Sequence, residues 1–290
     1  MPTLVAVAIR IIANPLANVY QKKLVSTKGS AVTVSFLTYA LLSLGVVVLI
    51  PEGRWHSLRA EFWETALLAG IFGAAGNAFL VRALQSGELS VLGPINAYKP
   101  VVSLIAGFFI LREIPGWLGC AGMAFVLWGS YFIIAPETRT GAAGILRRID
   151  LRYRIGALVL TAAEAVLLKK IILLSSPRTA FIVWCWAGAL CSLPMLLLSR
   201  PAPFKSHFQI GRREMPKYLL LVLCIGIMQY TTNFVFDRMP VAAALSLFQL
   251  SALLSVFLGA HFFRERDIVR KLTGAGIMIT GAILIIVSGN

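Results

Sequence analysis

Two stretches of the sequence match each other and decide the fold. Residues 103–134 read SLIAGFFILREIPGWLGCAGMAFVLWGSYFII, and residues 255–286 read SVFLGAHFFRERDIVRKLTGAGIMITGAILII. An ungapped shift of 152 residues aligns Ser103 with Ser255, Gly107 with Gly259, Arg112 with Arg264, Glu113 with Glu265, Gly122 with Gly274, and Gly129 with Gly281. A second match, at a shift of 147 residues, pairs Lys22-Lys23 with Lys169-Lys170. Apolar helices share Leu and Ile by chance, but a shared Arg-Glu pair with glycines at fixed offsets indicates an internal repeat.

The composition places this repeat in a membrane. Of the 290 residues, 58% are hydrophobic and 13% are charged, whereas soluble domains are about 25% charged. A soluble enzyme, a disordered chain and a disulfide scaffold are therefore excluded, and the lipid bilayer is the expected partner. The net charge of +15 comes mostly from short gaps between apolar runs, as in membrane loops, so we expect no nucleic-acid partner. The cysteines show no metal-binding spacing, and we expect neither a metal nor a cofactor.

Ten segments are apolar and long enough to cross a bilayer, since a spanning helix needs about 20 residues. They are 3–21, 31–50, 62–84, 89–111, 115–135, 154–174, 179–199, 217–236, 241–263 and 268–288. The polar, basic linker 136–153 separates a first repeat, 1–135, from a second repeat, 154–290. Because each repeat has an odd number of spans, the second copy enters the membrane upside down. The predicted fold class is an all-α integral membrane protein of two inverted-topology five-helix repeats, an architecture typical of secondary transporters.

With these features the sequence resembles the drug/metabolite transporter superfamily in its ten-helix EamA-type form. The resemblance rests on Leu111-Arg112-Glu113 followed by Gly119 and Gly122, and on Phe263-Arg264-Glu265 followed by Gly274. It implies export or exchange of small metabolites, amino acids or drugs. It also implies a central cavity lined by helices one, three, four, six, eight and nine, with helices five and ten more peripheral.

Polar side chains inside the predicted spans indicate the same six helices without help from the resemblance. Charged side chains cost about 2.5–3.5 kcal/mol each at the centre of a membrane helix, so they should face a cavity or a partner. Spans two, five, seven and ten carry no charge or amide away from their ends. The candidate substrate-binding residues are Arg10, Asn14 and Asn18 in span one, Asn77 in span three, Asn96, Tyr98 and Lys99 in span four, Glu164 in span six, Gln229 and Asn233 in span eight, and Gln249 in span nine.

Two of these residues carry the sharpest predictions. Lys99 falls near the middle of the predicted fourth span, between Pro94 and Pro100, which loosen the helix. It is predicted to contact a carboxylate or phosphate of the cargo, or alternatively to form a buried ion pair with Glu164. Glu164 is the only acidic residue well inside a span and is the candidate to carry a coupling proton. The alternatives for Glu164 are a permanent salt bridge or a carboxyl that snorkels near Lys169.

For the other candidates the sequence leaves two interpretations open. Arg10 could line the cavity or snorkel to the interface. The amides could bind cargo or form interhelical hydrogen bonds, and Tyr98 and Phe248 could stack on cargo or belong to the core. Small-residue rows allow close helix packing, and the row in span five fits either packing within the repeat or dimer formation. The rows are Gly70, Gly73 and Gly76 in span three and Gly116, Gly119 and Gly122 in span five. The oligomeric state is thus a monomer or a homodimer.

The predicted function is a multi-pass secondary transporter of the cell (inner or plasma) membrane that works by alternating access. Its small-molecule cargo is a polar or amphipathic metabolite, amino acid or drug, moved by export or exchange. The sequence contains no HExxH, GxSxG or P-loop motif, so we expect no enzyme. The alternatives are an integral membrane enzyme on a lipid-linked substrate and a non-transporting membrane scaffold. Lys and Arg concentrate in the odd-numbered gaps, which predicts both termini outside the cell, whereas the resemblance implies both inside.

Overall fold

The described residues form ten α-helices. The structure, a computed structural model, describes residues 2–26, 31–49, 55, 58–86, 98–112, 116–134, 149–198, 214–251, 254 and 268–288. The helices are α1 (Thr3–Ser26), α2 (Ala31–Gly45), α3 (Ala60–Ser86), α4 (Lys99–Leu111), α5 (Trp117–Ile134), α6 (Ile149–Leu174), α7 (Pro177–Leu198), α8 (Met215–Phe236), α9 (Val241–Phe248) and α10 (Ile268–Ser288). A short 3-10 helix, Val46–Leu49, extends α2. Each of the ten predicted spans overlaps one of these helices, so the predicted all-α architecture is confirmed.

Length and composition fit a membrane for most of this bundle. The helices long and apolar enough to cross a membrane are Thr3–Val25, Val32–Leu49, Ala60–Ala83, Pro177–Leu198 and Met215–Phe236. Shorter apolar helices are Lys99–Leu111, Trp117–Gly129 and Gly276–Val287. Helix α6 has 26 residues but carries charges in its interior and near its end, among them Glu164, Lys169 and Lys170. It is therefore the helix whose side chains most need partners inside the bundle.

The fourth predicted span differs from the prediction at its start. Residues 89–97, with Asn96 among them, lie outside the described residues, and α4 begins at Lys99. Pro100 sits in the first turn, where its missing N–H is harmless and its fixed φ suits a helix start. Lys99 is therefore at the beginning of a described helix and not at its middle. At the other end Arg112 takes a left-handed conformation, with φ 56°, and its N–H donates to the Gly107 carbonyl.

Helices of the two halves pack against each other in a reciprocal pattern. The main pairs are α5 with α10, α3 with α6 and α7, α1 with α8, α2 with α7, and α4 with α6 and α9. Exchanging each first-half helix for its second-half counterpart, five positions on, turns α3–α6 into α1–α8 and α4–α6 into α1–α9. The same exchange leaves α2–α7, α4–α9 and α5–α10 unchanged. This is the pattern expected of a pseudo-twofold axis, and the division into inverted repeats stays a prediction that it supports.

The α5–α10 pair comes together through glycines of the matching stretches. A Cβ at Gly122 would lie 2.7 Å from the carbonyl oxygen of Gly281, and a Cβ at Gly129 would lie 2.6 Å from that of Gly274. The two helices run antiparallel, because the higher residue number of one meets the lower of the other. The contacts also exchange under the repeat shift. Gly122, the last glycine of the row predicted in span five, therefore packs across the two halves, an arrangement that the sequence interpretation of that row did not include.

The glycine row of α3 performs a similar task beside α6 and α7. A Cβ at Gly70 would lie 2.7 Å from the Cβ of Ala187, and one at Gly76 would lie 2.7 Å from the Cγ2 of Thr161. A Cβ at Gly73 would overlap the carboxyl group of Glu164. The row thus brings α3 close to α6 and α7, with the Glu164 side chain packed directly against Gly73.

The end of α6 is tied to two other parts of the bundle by neighbouring lysines. Buried Lys169 donates through Nζ to the carbonyl of Met239, in the turn between α8 and α9, at 2.8 Å. Lys170 forms an ion pair with Glu61 near the start of α3, at 2.6 Å, and both side chains remain partly exposed. The first contact is sheltered from water and the second is not, so they differ in strength.

Candidate functional site

The carboxyl group of Glu164 is held in place by an indole. Trp184 of α7 donates from Nε1 to Oε1 of Glu164 at 2.6 Å. The Trp184 ring in turn meets the Tyr39 ring edge-on, with centroids 5.0 Å apart. A Cβ at Gly188 would collide with that Tyr39 ring, so the glycine makes the arrangement possible. Among the residues that the structure describes, the group that fixes Glu164 is this neutral donor from α7 and not a charged partner.

Lys99 faces this carboxyl group without pairing with it. Glu164 is the charged group that acts most strongly on Lys99, ahead of Arg10 and Arg154. Within the described part of the chain, however, Lys99 forms no ion pair and no hydrogen bond. The buried Lys99–Glu164 ion pair that the sequence left open is therefore not formed in this conformation. The two groups remain close enough to attract each other.

Arg10 of α1 supplies a second cation from the opposite side. Its Nε donates to Oγ1 of Thr232 in α8 at 2.9 Å. Its guanidinium carbon lies 4.9 Å from the centre of the Phe248 ring of α9, which packs on Phe236 with centroids 6.3 Å apart. Its Nη1 is buried and has no hydrogen-bond partner among the described residues. Arg10 is thus anchored inside the bundle and does not extend to the interface.

We name Arg10, Lys99 and Glu164 the central charge cluster. Two cations and one carboxylate come from α1, α4 and α6, and residues of α7, α8 and α9 hold them. Both halves of the chain therefore contribute. Polar contacts of this kind inside an apolar bundle are costly unless a partner or a ligand satisfies them.

Two of the predicted amides join helices beside this cluster. Asn14 donates from Nδ2 to Oγ of Ser251 at 3.3 Å, linking α1 to the residues after α9. Asn77 donates from Nδ2 to Oγ of Ser35 at 2.6 Å, linking α3 to α2. Asn18 is half-buried on α1, and no hydrogen bond of its side chain occurs among the residues that the structure describes.

The α8 amides form a network that leads away from the cluster. Gln229 donates from Nε2 to Oδ1 of Asn233 at 3.0 Å, and Asn233 donates from Nδ2 to the Pro177 carbonyl at 3.2 Å. Asn233 is completely buried. The Gln229–Asn233 bond lies within α8, and the bond from Asn233 to Pro177 is an interhelical hydrogen bond of the kind that the sequence left open as an alternative to cargo binding.

The remaining aromatic and amide candidates include both buried and exposed residues. Gln249 is buried just after α9, and Phe248 is a buried core residue that also supports Arg10. Tyr98 is 54% exposed at the start of α4. Among the described residues, its ring makes no contact with the central charge cluster. Asn96 lies outside the described residues.

Sequence reasoning missed Trp184 and Tyr39, because spans two and seven have no charged or amide residue away from their ends, and it missed Thr232 of span eight, because the search was for charges and amides. A signal was present nevertheless. A tryptophan N–H in an apolar span needs an acceptor, and Glu164 was the only carboxyl deep in a span to accept it. Lys169, considered as a neighbour of Glu164, is instead bound to the Met239 carbonyl.

Comparison with known proteins gives a family match over the first part of the chain. Residues 5–135 match the EamA-like transporter family. The predicted resemblance to the EamA-type form of the drug/metabolite transporter superfamily is thereby confirmed for the first half of the chain. Together with the apolar helices, this match makes the chain a multi-pass membrane protein.

Curated relatives and a solved structure extend the comparison. The chain is 25% identical over 141 residues to the S-adenosylmethionine uptake transporter of Rickettsia conorii, covering 48% of this chain and 46% of that one. It is 26% identical over 141 residues to the protein of the same name from Rickettsia felis, with the same coverage. The match thus spans about half the length of these relatives. A solved structure titled only as the crystal structure of a protein shares the fold, with a TM-score of 0.72, 14% identity, and coverage of 97% of this chain and 95% of that one.

Proposed function

From the premise that this chain carries an EamA-like domain of the drug/metabolite transporter superfamily, we propose that it is a secondary transporter that works by alternating access. Its cargo is a small polar or amphipathic metabolite, amino acid or drug, bound at the central charge cluster. The proposal places it in the cell membrane and assigns it no enzymatic reaction.

The observation that carries the proposal is the unpaired state of Lys99 opposite Glu164. A bundle that needed these charges only for stability would pair them, because an uncompensated buried charge is strongly destabilising. Here Glu164 is engaged by the neutral Trp184 donor, and Lys99 has no partner among the described residues. A site that keeps two opposite charges close but separate is suited to bind a polar cargo between them and release it again.

The position of the cluster between the two halves fits alternating access. Arg10 and Lys99 belong to the first half, whereas Glu164, Thr232 and Phe248 belong to the second. If the halves rock against each other, the groups that hold the cargo separate, which opens the site to one side. Glu164 remains the candidate for a coupling proton, since protonation would remove the one negative charge of the cluster.

The relatives bear on cargo and direction. The rickettsial proteins are named for S-adenosylmethionine uptake, and this molecule combines an amino-acid end with a positively charged sulfur. S-adenosylmethionine is accordingly the first candidate cargo. The sequence favours export or exchange and the relatives are named for uptake, and an exchanger satisfies both.

Reconstituted transport tests the proposal. The full chain in proteoliposomes should take up at least one radiolabelled compound from a panel of S-adenosylmethionine, amino acids, organic cations and phosphorylated metabolites. Lys99→Ala should abolish that uptake, because the variant lacks the cation that is proposed to bind the cargo. Preloading with unlabelled cargo and imposing a pH gradient separate exchange from proton coupling.

Lys170→Ala is the matched control. It also removes a lysine, but from a partly exposed ion pair at the end of α6. Uptake by this variant should match that of the original chain. Normal uptake by a well-folded Lys99→Ala variant would remove the central charge cluster as the cargo site, and absence of uptake for every compound would contradict the transporter proposal.

A further inference from the structure

We propose that Arg10, with Lys99, forms an oxyanion subsite that binds the carboxylate or phosphate group of the transported molecule. The inference rests on the proposed transport function and specifies its cargo as an acid-bearing compound. The sequence placed the acid contact at Lys99, and the geometry moves its centre to the guanidinium of Arg10.

The first argument is an unused donor. A guanidinium carries five N–H donors in a fixed planar fork. Thr232 accepts from Nε of Arg10, and Phe248 covers one region of the group, but buried Nη1 has no acceptor among the described residues. A buried donor of a charged group without an acceptor is destabilising, so its presence calls for a ligand.

The second argument is preorganisation. The hydrogen bond to Thr232 and the Phe248 ring fix the guanidinium plane from two helices, α8 and α9. A fixed fork presents two parallel N–H groups, the geometry that matches the two oxygens of a carboxylate or phosphate. A group held only to complete the core would not need an edge left without an acceptor.

The third argument is the balance of charge. The central charge cluster sets two cations against one carboxylate, and Trp184 already engages that carboxylate. Arg10 and Arg154 both act on Lys99 as like charges, and an anion between Arg10 and Lys99 would relieve the repulsion. A cargo with an acid group therefore completes the cluster electrostatically, while an amine or sulfonium of the same cargo can lie toward Glu164.

Arg82 serves as a comparison, because it has an aromatic contact similar to that of Arg10 but is exposed. Arg82 of α3 lies 5.1 Å from the centre of the Tyr153 ring, in much the same relation as Arg10 to Phe248. Arg82, however, is exposed to the surroundings of the bundle. The aromatic contact alone accordingly does not account for the burial of Arg10.

The test compares cargoes that differ only in the acid group. Proteoliposomes containing the full chain are assayed with S-adenosylmethionine against its decarboxylated form, methionine against its decarboxylated amine, and phosphocholine against choline. We expect the acid-bearing member of at least one pair to be taken up at least about tenfold faster, the change produced by one charge-assisted hydrogen bond. The carboxylate and phosphate pairs show which acid the subsite takes.

Arg10→Gln should reduce that preference to near unity, and Arg82→Gln should leave it unchanged. Arg10→Lys should keep part of it, because the charge remains without the fork. If Arg10→Gln is not monodisperse in detergent, Thr232→Val serves in its place: it leaves the charge but frees the guanidinium, and should lower the preference.

The outcomes separate the two proposals. Uptake of a compound by the original chain, with an acid preference that survives in well-folded Arg10→Gln, overturns the oxyanion subsite and leaves the transporter intact. Equal uptake of both members of every transported pair overturns it as well. Failure of the original chain to take up any compound contradicts the proposed transport function itself.

Discussion

The contacts of the α5–α10 pair follow the internal repeat, whereas the residues of the central charge cluster do not. In the α5–α10 pair, Gly122 meets Gly281 and Gly129 meets Gly274, so each contact is the repeat equivalent of the other. At the cluster, a shift of 152 residues takes Lys99 to Ser251, and a shift of 147 residues takes Glu164 to Ala17. The packing is repeated, whereas the charge is present in one copy only.

This difference separates the scaffold from the chemistry. Two copies of one helical unit can pack through the same close contacts, since backbone geometry is the same in both. A cargo is rarely symmetric, so a site at the centre must depart from the symmetry of its frame. The asymmetric residues mark where specificity resides, and the symmetric glycines mark what must hold for the frame to assemble.

The largest expected effect comes from breaking the symmetric pair. Gly122→Leu would force a side chain into the Gly281 carbonyl and should destabilise the protein by about 3 kcal/mol or more. Fluorescence-detected size-exclusion chromatography after heating should show a large fall in the surviving folded fraction. Gly276→Leu is the control, because a Cβ there meets nothing within 4 Å. Equal thermal survival of the two variants would mean that the close α5–α10 contact does not hold the frame.

A smaller effect should follow from removing the hydrogen bond that holds Glu164 in the central charge cluster. Trp184→Phe keeps an aromatic ring beside Tyr39 but removes the N–H that Glu164 accepts, a hydrogen bond to a charged group worth about 1.5–3 kcal/mol. Cargo uptake should fall about tenfold while the detergent-purified variant remains monodisperse. Trp128→Phe, at a residue 55% exposed, should leave uptake unchanged. Full activity of Trp184→Phe would show that Glu164 needs no positioning.

The smallest effect is expected at the α8 amides, whose hydrogen bonds join parts of the helix bundle and do not involve the central charge cluster. Asn233→Ala removes the hydrogen bonds to Gln229 and the Pro177 carbonyl and should lower stability by about 1 kcal/mol. The ratio of uptake between acid-bearing and acid-free cargoes should not change. Asn18→Ala, with no hydrogen bond to lose among the described residues, should leave thermal survival unaltered. A changed uptake ratio in Asn233→Ala would return Asn233 to the cargo site.

The sequence was sufficient to predict most of the scaffold. Spanning helices depend on long apolar runs, which are local and easily read, and all ten predicted spans overlap described helices. The repeat was visible because glycines and the Arg-Glu pair keep fixed offsets. The packing of the α5 glycines on α10 was not predicted, since a row of small residues does not indicate which helix it contacts.

The site was predictable in its charges and not in its contacts. Arg10, Lys99 and Glu164 stand out because charge inside a span is rare. Their partners do not, because Trp184 and Thr232 lie about 20 and 222 residues from Glu164 and Arg10, and only the packing of α6 on α7 and of α1 on α8 joins them. The start of the described helix at Lys99 was not predicted either, since Pro100 fits a helix start as well as a kink.

The two lysines that end α6 have a mechanical consequence. Helix α6 is a stiff rod, and Lys169 and Lys170 lie within about 10 Å of Glu164 along it. The sheltered bond from Lys169 to Met239 acts as a pivot on the α8–α9 turn, while the wet ion pair of Lys170 with Glu61 can part and rejoin at little expense. When α6 moves, the Lys170–Glu61 contact can therefore be exchanged for water more readily than the Lys169–Met239 contact.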